Sequence, residues 1–157
     1  MKISYTKVTP DVCKANRNFF KNHVRRAFVA WCAYEGYFDG VLTAKEISKA
    51  KRGHLPEDLN IHHKIPLSGS EDESVNDFSN LVVLHKTTHE HINRDVFAPQ
   101  LRPYIAAEYG ITIELEVPEY DYVDAEGIRQ QRLIKHQKDI ANEKKITIRN
   151  SSKDYCM

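Results

Sequence analysis

Five polar residues stand at spacings that suit metal-assisted hydrolysis: the adjacent His62 and His63, then Asn80, then His89 and Asn93 four positions apart. Residues four apart on a helix share one face, so His89 and Asn93 can address a single ion. A hairpin packed on that face can bring His62 as a third ligand. Three ligands leave coordination positions open, and such a metal acts as a Lewis acid on a phosphoryl oxygen and on a departing 3′ oxygen. Imidazole nitrogen together with an amide oxygen suits Mg²⁺, Mn²⁺, Ni²⁺ or Zn²⁺. An imidazole beside a ligand but not itself bound titrates ordinarily near about 6.5, which suits a base taking a proton from water, and His63 fits that role. Neighbours on a regular strand face opposite ways, so both histidines can serve one site only where the strand twists or ends, as Pro66 nearby allows. Lys64 and Arg94 flank the set as candidate phosphate contacts, the alternative being that they balance local acids.

The elements that must position these residues follow from patterning. Asn60 to Pro66 reads as extended, Ser68 to Ser79 as a polar loop, and Leu81 to Leu84 as a short apolar strand. Thr87 or Thr88 is the expected cap of a helix running to about Val96, with Glu90 in its first turn. Upstream, Val12, Ala15, Phe19, Phe20, Val24, Ala27, Phe28, Trp31 and Tyr34 recur at helical spacing, predicting one amphipathic helix from Pro10 to about Tyr37 with these aromatics in the core. Its other face carries Lys14, Arg17, Lys21, Arg25 and Arg26, with no acid between Asp11 and Glu35. That stripe reads as a solvated face or as a phosphate-facing one. Thr43 and Glu46 form a capping box for a short helix to about Arg52, stopped by Gly53. Pro99 and Pro103 break the chain before a segment that ends at Gly110. Ile111 to Val117 alternates as a half-buried strand, Asp124 to about Lys145 reads as a basic helix, and the tail at 146–157 is expected to fray.

The runs I-H-H-K-I-P-L, N-D-F-S-N-L-V-V-L and H-E-H-I-N resemble the HNH nuclease motif, also called the ββα-metal or His-Me finger, over about Leu55 to Val96. The resemblance implies a ββα-metal core at about 55–96, and with the helical part at 10–52 and the one additional short strand and basic helix at 111–145 read from patterning, the expected fold is α+β. The resemblance also implies that His62, His89 and Asn93 hold one divalent ion, that His63 is the general base, and that Asn80 ties the loop so that His63 is oriented. The activity it implies is hydrolysis of DNA leaving 5′ phosphates. An RNA-cleaving enzyme of the same type, and a nucleic-acid-binding module with a structural metal, are the alternatives. The connector G-H-L-P-E-D-L-N is most similar to HNH domains of bacterial polymorphic toxins, which implies an immunity protein and delivery into target cells. Two departures stand out. His85 and Thr88 occupy positions where many members have structural-zinc cysteines, and Asn93 replaces a common histidine, favouring Mg²⁺ because an amide oxygen is a hard donor.

Length and composition bound the rest. At 157 residues with 41% hydrophobic and 29% charged residues, the chain is expected to be a single globular domain. No apolar run approaches the roughly 18 residues of a membrane span, and no signal core follows Met1, so a soluble, cytoplasmic chain is expected. Cys13, Cys32 and Cys156 are too scattered for a disulfide framework or a cysteine zinc site. The net charge of +1 hides a segregation: 12 basic against 6 acidic residues over 1–64, 3 against 13 over 65–126, and 8 against 3 over 127–157. His85 and His91 are expected to be solvated or to touch substrate, and His23, His54 and His136 to be ordinary.

Overall fold

The computed structural model describes the backbone of residues 1–155 and the side chains of residues 1–149. The fold is α+β, with two small antiparallel sheets among helices. β2 (Leu59–His63) pairs with β3 (Leu81–His85), with His63 opposite Leu81, His62 opposite Val82 and Leu59 opposite His85. α4 (Lys86–Ile92) follows β3 without a linker. Residues 81–84 are all fully buried, and alternation sends them to two different cores. Leu81 and Val83 join Phe28, Val29, Phe38, Ala50 and Ile128 on one face. Val82 and Leu84 join Ile3, Tyr5, Ile92, Phe97 and Leu115 on the other. A strand covered on both faces should be apolar, and this one is until its last residue, His85. Each such side chain contributes about 1.5–3 kcal/mol by burial.

The first core is walled by α1 (Pro10–Phe19), a π-helical turn at Phe20–Val24, α2 (Arg25–Tyr34) and α3 (Ala44–Ala50). The single expected helix is thus interrupted by a wider turn and ends three residues early. Thr9 caps α1 by accepting from Val12 N–H, and the capping box of Thr43 with Glu46 opens α3 as expected. Phe28 is buried and Phe20 and Trp31 pack against this core, but Phe19, expected there, is 48% exposed beside His23.

The second core rests on β1 (Lys2–Thr6), which pairs with β4 (Thr112–Glu116). The expected single extra strand is therefore two. After α4 the helix does not stop at Val96. A second π turn spans Asn93–Phe97 and leads into α5 (Ala98–Leu101), whose first turn accommodates Pro99. The 66–80 loop contains 3-10 turns at Leu67–Gly69, Glu73–Asn76 and Phe78–Asn80. Tyr122–Asp124 adds a short parallel bridge to Val83, and α6 (Ala125–Tyr155) then runs well past Lys145. The expected frayed tail is helical to Tyr155, and 156–157 lie outside the described residues. From Leu133 to Arg149 the side chains of α6 are exposed.

Cys32 is buried in the first core, and burial pushes its thiol up to about 12, leaving it inert. Cys13 is half-buried, and Cys156 lies outside the described residues. Among the described residues no helix is long and apolar enough to cross a membrane.

Candidate functional site

Because β2 ends at His63, the strand's alternation separates the two histidines and its terminus reunites them. His62 lies on the face of α4: its ring is 5.2 Å from that of His89 at 68°, and 5.6 Å from Phe97. His63 turns to the opposite face, where the edge of Phe20 meets its ring at 4.6 Å. Both nonetheless line one open cleft of about 400 Å³ at the end of the hairpin. His89 and Asn93 from the helix side complete its wall, together with Arg17 and Cys13 of α1 and the 66–68 turn.

The geometry suits a shared ion. An imidazole bound at about 2.1 Å has its ring centre about 3.2 Å from the metal, so two rings at right angles or slightly wider stand about 4.6–5.3 Å apart. The separation of His62 and His89 falls in that range. Burial, and then the neighbouring His89, His63 and Lys64, lower the pKa of His62 to about 3; burial likewise lowers that of His89, against the pull of Glu90. Neutral imidazoles are what a metal requires. Asn60 Nδ2 lies 3.3 Å from His89 Nδ1. A half-turn of that amide presents its oxygen to an Nδ1–H instead, which frees His89 Nε2 as a ligand. Among the described residues no three His, Cys, Asp or Glu side chains cluster as ligands; the expected set has two such residues, with a carboxamide as third.

His63 is 9% exposed and held by a residue the sequence did not single out. Its Nε2 lies 3.0 Å from Asn76 Oδ1, while Asn76 Nδ2 donates to the backbone oxygen of Asn16 at 3.0 Å. The second bond fixes which way the amide points, so His63 must donate through Nε2–H and keep its lone pair on Nδ1. Burial lowers the His63 pKa, opposed by the Asn76 bond. Asn80 does not touch His63. Its Oδ1 accepts from Ile65 N–H at 2.8 Å, and its Nδ2 donates to Ile65 and Val75 oxygens at 3.0 and 2.7 Å. It therefore ties the loop, as expected, and the contact to His63 belongs to Asn76 in the turn that Asn80 anchors.

The two expected phosphate contacts lie elsewhere. Arg94 is exposed and bonded to Asp95 at 3.0 Å, and Lys64 is half-buried over the Tyr122 ring; neither lines the cleft. Arg17 does, and its nearest side-chain partner is Cys13 Sγ at 3.9 Å. The sequence signal for Arg17 was its place in the acid-free stripe; Asn76 had none, being one polar residue in a polar loop. His85 is buried rather than solvated. It caps α4 in place of Thr87 or Thr88, accepting from Thr87 N–H at 3.1 Å. A larger cleft of about 850 Å³ lies across Asn76, but Asp72, Glu73 and Asp77 line it and would repel a polyanion.

No family model matches the chain, and no solved structure matches it. A stretch of 96 residues, 61% of the chain, is 26% identical to the "Uncharacterized protein YhhZ" of Escherichia coli (strain K12). The chain spans about a quarter of that relative's length, 24%.

Proposed function

We propose that the chain is a metal-dependent endonuclease with a ββα-metal core, hydrolysing DNA phosphodiester bonds with little sequence preference. The observation that carries this reading is the shared cleft: two neutral imidazoles at metal-sharing distance, Asn93 beside them, and a third imidazole whose lone pair is fixed on Nδ1. His63 Nδ1 takes a proton from water, the hydroxide attacks phosphorus in line, and the 3′ oxygen departs, leaving a 5′ phosphate. Arg17 holds a non-bridging phosphate oxygen and concentrates the substrate at the cleft. A divalent ion on His62, His89 and Asn93, with Mg²⁺ favoured, would supply Lewis-acid stabilisation of the leaving oxygen.

Supercoiled plasmid incubated with the protein and Mg²⁺ or Mn²⁺ tests the reading. Nicked and linear forms are expected, with His63→Ala slower by about 10²–10⁴-fold. Absence of nicking with every divalent ion, or full activity in His63→Ala, overturns it. A parallel digest of RNA separates a DNA enzyme from an RNA-cleaving one. The reading extends to an antibacterial effector restrained by an immunity protein; a product harmless to a host without an inhibitor counts against that extension.

A further inference from the structure

A second cationic feature lies one helical turn beyond the cleft. Lys21, Arg25, Arg26 and His54, with Gly53 and Leu55, line an open pocket of about 310 Å³ that has no acidic residue in its wall. Among the described residues none of Lys21, Arg25 and Arg26 is paired with a carboxylate. The neighbouring turn sets one wall. Gly53 has φ +89, and a Cβ there would come within 2.8 Å of Arg26 Cβ, so the backbone packs directly on the Arg26 stem.

The π turn between α1 and α2 aligns this pocket with the cleft. Along a pure α-helix, residues eight apart drift by about 80° around the axis. The i→i+5 turn at Phe20–Val24 takes up that drift, so Arg17, Lys21 and Arg25 stay on one line from the cleft to the pocket. Eight residues that include the wider turn span about 10–12 Å. One DNA strand winds around its axis as it rises about 3.4 Å per nucleotide, so successive phosphates lie about 7 Å apart through space and the pocket falls one or two phosphates from whatever Arg17 holds.

We propose that Lys21, Arg25, Arg26 and His54 form a phosphate-binding pocket for the nucleic-acid backbone, gripping the strand one or two nucleotides from the bond in the catalytic cleft. The inference rests on the nuclease reading for its register but not for its chemistry, since the pocket binds a polyanion whether or not the cleft cuts it. Backbone contacts of this kind position a duplex without reading its sequence.

Affinity of the full chain for a fluorescent DNA duplex, measured by anisotropy in chelator across a salt series, tests the pocket without hydrolysis. Lys21→Gln/Arg25→Gln, which leaves the Arg26 packing intact, should weaken binding at least tenfold at about 100 mM salt and lower the slope of log K against log salt by about 2. Adding Arg26→Gln should lower it by about 1 more. Lys135→Gln/Lys138→Gln/Lys145→Gln on α6 removes equal charge and should do less; circular dichroism establishes that each variant is folded. An unchanged affinity and slope in the pocket variants, as a pocket built for an acidic protein would give, overturns the proposal. So does an equal loss from the α6 variant. Pocket-dependent binding without nicking sinks the nuclease reading and leaves the pocket standing, while nicking with unaltered binding does the reverse.

Discussion

His63 makes one side-chain hydrogen bond, and the partner decides which nitrogen stays basic. With Asn76 Oδ1 accepting from Nε2–H and Asn76 Nδ2 committed to the Asn16 carbonyl, the imidazole is locked in one tautomer. Asn76→Ala should let the ring exchange tautomers and lower the nicking rate about 10- to 100-fold, roughly the scale on which supporting hydrogen bonds act at such sites. Losing a buried acceptor should also destabilise the fold by about 1–3 kcal/mol. Nitrogen NMR of the metal-free protein separates orientation from stability: a His63 ring that remains a single Nε2–H tautomer in Asn76→Ala removes the positioning role. The grouping of His62, His63, His89 and Asn93 was legible in the sequence because hairpin and helix periodicities dictate which residues can meet. Asn76 was not, since a loop residue obeys no period. Arg94 lies off the cleft wall because adjacency to Asn93 along a helix turns a side chain by about 100°.

Among the elements, α6 is anchored by Ile128 in the first core and, one turn further on, by Arg132. Arg132 bonds both Glu46 of α3 and Asp58 before β2 in bidentate fashion at 2.9–3.0 Å, so three segments distant in sequence meet on one guanidinium. The side-chain hydrogen bonds from Arg132 hold the Glu46 carboxyl below its usual range. A carboxylate whose pKa is lower folded than unfolded adds stability that is fully present above the unfolded value and lost as pH falls through the folded one. Arg132→Gln should therefore destabilise the protein by about 1–2 kcal/mol at neutral pH, a modest figure because the pair is partly exposed. The gap to the parent should narrow below about 4.5 as Glu46 protonates. Urea unfolding at pH 7 and pH 4 measures it; an equal gap at both assigns the effect to packing. The helices other than α5, and the β2, β3 and β4 strands, were legible from periodicity and apolar runs, although the cap of α4 is His85 and not a threonine. β1 went unread because five residues, with Ile3 and Tyr5 alternating, carry too little pattern without knowledge of β4. The two π turns were invisible, because sequence periodicity does not distinguish a five-residue turn inside a helix.

At the scale of the molecule, the hairpin is a central layer between two cores, and this decides how much of the fold depends on an ion. Val82 and Leu84 pack on the β1–β4 sheet and α4, while Leu81 and Val83 pack on α2, α3 and α6. Neither core includes His62, His89 or Asn93. His62 and His89 meet where β2 packs on α4, so on the proposed reading a bound ion would add one cross-link to an assembled structure. A structural-metal module behaves otherwise, because its binding energy is its folding energy. The metal-free chain should accordingly unfold in one cooperative transition, which a divalent ion raises by mass action. At about 100 times the Kd the gain is about 2.7 kcal/mol, or a Tm higher by about 5–10 °C for a chain of this size. His62→Ala and His89→Ala should keep the metal-free Tm within a few degrees and lose the ion-induced rise, whereas Arg132→Gln should lower the Tm and retain it. Calorimetry with Mg²⁺, Mn²⁺ and Zn²⁺ against chelator reads all of these. Collapse of the transition in chelator would make the ion structural, and a rise that survives both histidine substitutions would place the ion outside the cleft.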